Sequence, residues 1–339
     1  MSAARLSKNR ENGKQKKRSR PKIKPRFYLI LAIILIGILT SPLLWHLSRI
    51  TRAQSDFDFD SVATEIAWVD QHAPILNRWA SFRDAKLWLR LNQGPREGLK
   101  QELALYQDDR HRLWLFQLLL QEESNMEAEG VMAEFSSETT KALAQGLMAL
   151  AIKDFRYAQG RLQALTGLSE KEETIRHLAL AQAHLSLHEP EQAKPELRAA
   201  LKAEPQNPAA RMLEFNLSLA QGEWTRALEL SAELDHDLSP TPIYLVQKGL
   251  LQLRQGTLDQ DIITNLGSLP QGKSYANYLE GIKRLNQGRL GEGKTSLELA
   301  LALGLPGQLR ADAESALKQT NDRLRAEDTL KALVSDNGI

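Results

Sequence analysis

The chain has 339 residues, 42% hydrophobic and 25% charged, with a formal net charge of +2. That composition excludes a mainly disordered chain and a polytopic membrane protein, and zero cysteines exclude disulfides, thiolate zinc sites and a thiol nucleophile. Only five valines occur (Val62, Val69, Val131, Val246 and Val334), so little β-sheet is expected.

The small net charge hides an asymmetry. Residues 1–26 hold eleven Lys or Arg against one acid, Glu11, which is +10 and leaves −8 for residues 27–339. This tail has almost no apolar residue and reads as a disordered, solvated basic flank. No aromatic platform interrupts it, so nucleic acid is not expected as a partner, whereas anionic lipid headgroups need only its charge.

Residues 27–47, FYLILAIILIGILTSPLLWHL, carry no charge. As a helix they reach about 31 Å, the thickness of a hydrocarbon core, with Phe27, Tyr28 and Trp45 suited to the two interfaces. A transmembrane anchor is predicted here. A cleaved signal peptide fits less well, because the apolar region is long and the best small-residue site contains Arg52. The basic residues precede the span and the acidic Asp56, Asp58 and Asp60 follow it, so the amino terminus is expected in the cytoplasm and the body outside it. A body of charge −8 is expected to stand off anionic headgroups.

From about residue 60 the sequence turns Leu/Ala/Glu/Gln/Arg-rich with helical apolar spacing. Residues 48–138 read as helical, with Gly94 at a plausible turn for degenerate repeats. Leu-x-Gln-Gly recurs at 91–94, 143–146, 219–222, 253–256 and 285–288, and the last three end on Gly222, Gly256 and Gly288, 34 and 32 residues apart. Small residues run in phase: Gly146, Ala181, Gly249 and Gly281 in one series, Ala158, Ala193 and Ala227 in another. Two helices joined by a tight turn pack closely only where side chains are small. Each hairpin then leaves an apolar face that the next must cover.

On these residues the chain resembles the tetratricopeptide repeat (TPR) family. The best copy is 174–207, with Ala181, Ala193, Ala200, Leu180, Leu197 and the closing Pro205 in the family's positions. Further copies read at 139–173, 208–241, 242–273 and 274–307, and 308–334 reads as a polar capping helix before a short tail to residue 339. Departures are Phe215 where a small residue is usual, Asp261 and Gly293 where alanine is usual, and Tyr244 one residue out of phase with Leu245. The fold class expected is therefore all-α: a TPR-type α-solenoid over 139–307, preceded by one transmembrane helix.

The resemblance implies a non-catalytic scaffold that binds other proteins, as helical or extended segments, in a groove lined by the first helix of each hairpin. The groove positions it assigns are Gln182, Asn216, Arg254, Tyr275, Tyr278 and Asn286, with Leu178, Val246 and Leu250 as an apolar floor. Met212 stands where the family's carboxylate clamp needs lysine, so a chaperone-tail ligand is not expected. Envelope, secretion or assembly proteins are the expected partners.

Two constellations compete with that reading. Residues 288–295, GRLGEGKT, match the phosphate-loop pattern letter for letter and give the alternative of a nucleotide-binding enzyme or regulator. The preceding text is helical rather than a buried strand, which argues for coincidence. His177, His184 and His188 share one helical face by spacing, and packing or groove-lining roles fit them better than a metal. No cofactor or metal site is expected, and no catalytic motif stands out.

Overall fold

The computed structural model describes residues 44–237, 241–270 and 272–336. The basic tail and nearly all of the expected membrane span lie outside the described residues. Residues 44–47 open the first helix, α1, which runs over residues 44–55. Among the described residues no helix is long and apolar enough to cross a membrane, and every regular element is helical.

The helices that follow are α2 (Phe59–His72), a 3₁₀ turn (Pro74–Arg78), α3 (Ala80–Gln93), α4 (Leu99–Leu103), α5 (Asp109–Gln121) and α6 (Asn125–Ala133). Five hairpins then succeed one another: α7 (Glu138–Ala151) with α8 (Phe155–Gln163), α9 (Glu170–Ser186) with α10 (Pro190–Ala203), α11 (Pro208–Gln221) with α12 (Trp224–Asp237), α13 (Pro242–Gln255) with α14 (Gln260–Ser268), and α15 (Gly272–Asn286) with α16 (Leu290–Ala302). The long α17 (Gly307–Asp336) ends the array. This is an α-solenoid of TPR-like hairpins.

One backbone device makes every turn. Glu123, Lys153, His188, Gly222, Gly256 and Gly288 all have φ between 57° and 76°, and each sits between the two helices of a hairpin. The amide of the following residue then donates five residues back, as in Asp154 to Ala149 (2.8 Å), Glu189 to His184 (2.8 Å) and Glu223 to Ser218 (2.8 Å). These bonds satisfy carbonyls that the helix end would otherwise leave orphaned. Polar side chains start the helices in a complementary way. Asp108, Ser137, Asp154, Asn207 and Thr241 accept amide hydrogens of the first turn, and Ser169 with Glu172 forms a reciprocal capping box. Each such cap stabilises its helix by roughly 1 kcal/mol.

Small residues set the distance within a hairpin. A Cβ on Gly146 would lie 2.5 Å from the Leu162 side chain, and one on Gly281 would lie 2.8 Å from that of Leu297. Ala158, Ala193 and Ala227 are fully buried. Where the small-residue pattern fails, the packing re-phases. Ile262 is buried in place of the exposed Asp261. Phe215 is itself fully buried, edge-on to Tyr244 at 5.6 Å, and bridges α11 to α13. The Tyr244 hydroxyl donates to the Ser231 carbonyl (2.8 Å) and lies 2.9 Å from an Asp235 carboxylate oxygen, so burial of its polar end is compensated.

The hairpins form two unequal layers. First helices pack on the next first helix, α5 on α7, α7 on α9, α9 on α11 and α13 on α15, while no comparable packing joins successive second helices among the described residues. A stack joined more tightly along one layer curves toward it, so the first helices line the inner face. The path also closes on itself: Phe57 and Asp58, in the turn after α1, share a cleft with Gln206 of the α10–α11 turn. At the far end Ala313, Leu309 and Leu317 of α17 seal the apolar face left by α16, and the exposed remainder of that helix makes the polar cap a solenoid needs.

Candidate functional site: the inner face of the solenoid

All six groove positions fall on first helices: Gln182 on α9, Asn216 on α11, Arg254 on α13, and Tyr275, Tyr278 and Asn286 on α15. Gln182, Arg254 and Asn286 are exposed. Asn216 is half-buried, and its Oδ1 is shielded from solvent with no hydrogen-bond partner. An amide oxygen dry and unpaired costs about 1–3 kcal/mol, unless a donor arrives from outside.

Arg254 has a neighbour the sequence reading did not foresee. Its guanidinium lies 4.1 Å over the ring of Trp224, the first residue of α12, and ties the end of one hairpin to the turn of the preceding one. Trp224 is 37% exposed, so it adds an aromatic surface at that edge. The signal was available, since Trp224 follows Gly222 by two residues and Arg254 precedes Gly256 by two, on consecutive turns.

Two of the six positions require correction. Tyr275 and Tyr278 are 8% and 4% exposed and belong to the apolar core with Leu279, Leu297 and Ala313. The reason is α17, which brings Asp312 close to Tyr278. Burial, reinforced by that charge, pushes the Tyr278 phenol up to about 12. Val246 is likewise a core residue, leaving the half-buried Leu178 and Leu250 from the expected apolar floor. The accessible face is thus more polar than the sequence implies: Gln182, Asn216, Arg254 and Asn286 beside a narrow apolar strip.

The histidines are spread over separate partners. His177 Nδ1 lies 2.6 Å from Glu196 on α10, and the buried His184 lies 3.0 Å from Glu189. His188 is outside the helix altogether, in the left-handed turn. A shared face by spacing fails because α9 ends at Ser186. Among the described residues no group of three potential ligands converges on a metal.

Residues 288–295 do not form a phosphate loop. Gly288 is the turn residue, and Leu290 onward is helix α16. The Gly293 amide donates to the Arg289 carbonyl (2.9 Å), so it is spent within the helix. Lys294 lies 3.9 Å from Glu298 on the helix surface, and Thr295 donates its hydroxyl hydrogen to the Gly291 carbonyl (3.1 Å). A phosphate cradle needs several free amides converging on one point, and none of these geometries supplies that.

Among solved structures, the chain is similar to a tetratricopeptide repeat protein from Parabacteroides merdae, with a TM-score of 0.44 and 14% identity over 79% of this chain and 99% of that one. No family model matches the sequence, and no curated protein does.

Proposed function

We propose that this chain is a membrane-tethered, non-catalytic scaffold whose inner face binds segments of other proteins. The observation that supports it most is the buried, unpartnered Oδ1 of Asn216 midway along the first-helix layer. A backbone N–H from a bound extended or helical segment would satisfy it. Gln182, Arg254 and Asn286 offer donors and acceptors on neighbouring hairpins, and Leu178 and Leu250 offer a modest apolar strip.

The tether is read from the uncharged run 27–47, and the orientation from the basic residues that precede it. Anchoring would place the cytoplasmic tail against anionic headgroups and the solenoid outside the cytoplasm, among envelope, secretion or assembly proteins. Confinement to the membrane raises the effective concentration of membrane-bound partners.

The test is a crosslinked pull-down from membranes with the wild type and with Asn216→Ala combined with Gln182→Ala. The expected result is loss of one discrete partner while the helical circular dichroism is unchanged. Equal recovery by both proteins would contradict the assignment of the face. Protease added to intact spheroplasts is expected to digest the body; a protected body would contradict the orientation.

A further inference from the structure

We infer that the end of the first helical hairpin is a second membrane contact, seated in the headgroup layer through Ile75 and Trp79. This rests on the tether proposed above. The two elements that build this end are α1, which continues directly from the apolar run, and the α2–3₁₀ corner. A ladder of rings joins them: Trp45 edge-on to His46 (4.8 Å), His46 stacked on Trp68 (3.6 Å), and Trp68 stacked on His72 (4.9 Å). Leu47, Ala73 and Leu76 meet in the same apolar cluster as Ile50. Beneath them Glu65, 3% exposed, pairs with His46 and with Arg49 (2.8 Å), which pins α1 onto α2. The point where the apolar run enters the body and the point where the chain turns after α2 are therefore one rigid end.

That end is unusually apolar for a solvated corner. Ile75 is 70% exposed, Trp79 48%, Leu44 61% and Trp45 52%. Single exposed hydrophobics are ordinary, but a cluster of this kind with two tryptophans marks a surface with a partner. The chemistry favours a bilayer. Tryptophan concentrates at the headgroup level, and isoleucine adds the apolar insertion.

Charge points the same way. The body carries −8 overall, yet Arg49, Arg78 and Arg83 are exposed at or beside this corner, and neither Arg78 nor Arg83 forms an ion pair among the described residues. Asp70 is engaged by Lys86 (2.6 Å) and Asn77 (2.6 Å). The expectation that the acidic body stands off the bilayer therefore does not extend to this end, where cations face anionic headgroups. Two contacts, a span and a collar, would fix the tilt of the solenoid over the membrane, which a flexible stalk would not.

The absence of native cysteine permits a clean test. Full-length Ile75→Cys, Trp79→Cys and, as reference, Ile152→Cys each carry one environment-sensitive dye. Each is reconstituted in phosphatidylcholine–phosphatidylglycerol vesicles containing a headgroup-level nitroxide lipid. The expected result is co-flotation of all three with vesicles, and quenching several-fold stronger at positions 75 and 79 than at 152. Co-flotation with equal quenching at all three positions overturns the collar and leaves the tether standing. A blue-shifted dye at 75 and 79 without quenching also overturns it, and assigns the patch to a protein contact. Failure to co-float overturns the tether and the collar together.

Discussion

His188 and Gly222 stand 34 positions apart and hold the same left-handed backbone, φ 60° and 74°, each followed by an amide bonded five residues back at 2.8 Å. The histidine does at one turn what glycine does at the next, and it does so against the steric preference of an L-residue. Its side chain is exposed and forms no hydrogen bond among the described residues. His188→Gly is therefore expected to stabilise the fold by about 0.5–1 kcal/mol, and Lys153→Gly by a similar amount. Urea denaturation midpoints check this; a lower midpoint for both variants would contradict the turn assignment.

The close approach within a hairpin has the opposite sign. Gly281→Ala places a Cβ 2.8 Å from Leu297 and 3.2 Å from its backbone nitrogen. The expected cost is about 1–3 kcal/mol of overpacking. Gly267→Ala, in α14 with nothing within 4 Å, serves as the contrast. There the gain in helix propensity is expected to stabilise by up to about 1 kcal/mol. Two Gly→Ala changes of the same sign in thermal melts would count against the packing described.

Acid is expected to open the junction between α5 and α7. Burial pushes the Asp109 carboxyl up, but the amides of Ser136 (2.8 Å) and Ser137 (2.7 Å) outweigh it and hold the group below the ordinary carboxylate range. The folded state then binds fewer protons than the unfolded one. The stabilisation is complete above the unfolded value, about 4, and is lost as pH falls through the lower folded value. Asp109→Asn is expected to lower stability at neutral pH and to flatten the decline below about pH 4. A variant with the same acid profile as the wild type would exclude this role.

Lys294 sits on the surface of a helix, in a weak pair with Glu298 (3.9 Å). Lys294→Ala is expected to change stability by less than about 0.5 kcal/mol, and titration with ATP is expected to give no Lys294-dependent binding. Binding that disappears in the variant would reopen the nucleotide alternative.

How far the fold was legible follows from these turns. Gly222, Gly256 and Gly288 announce their hairpins because glycine is cheap at positive φ, and their spacing displays the repeat. Glu123, Lys153 and His188 hold the same conformation without a compositional mark, so the α5–α6 hairpin stays hidden in the sequence. Asp261 and Tyr244 each show a helix shifted by one residue, which periodicity of about 34 cannot resolve. At the candidate site the helix of every position was legible, but exposure was not. Tyr275 and Tyr278 have the right phase for a groove, and only the arrival of α17, a contact distant in sequence, turns them into core. Asn216's orphaned oxygen and the Arg254–Trp224 stack likewise depend on distances between hairpins.

The inner face is tested most directly by site-specific photocrosslinking in membranes. A photoreactive residue is placed at Gln182 or Asn286 on first helices, and at Lys202 or Glu298 on second helices; all four side chains are exposed. The expected result is one discrete adduct from both first-helix positions and none from the other two. Adducts of equal yield on both layers, or from the second helices alone, would contradict a scaffold that binds through its inner face.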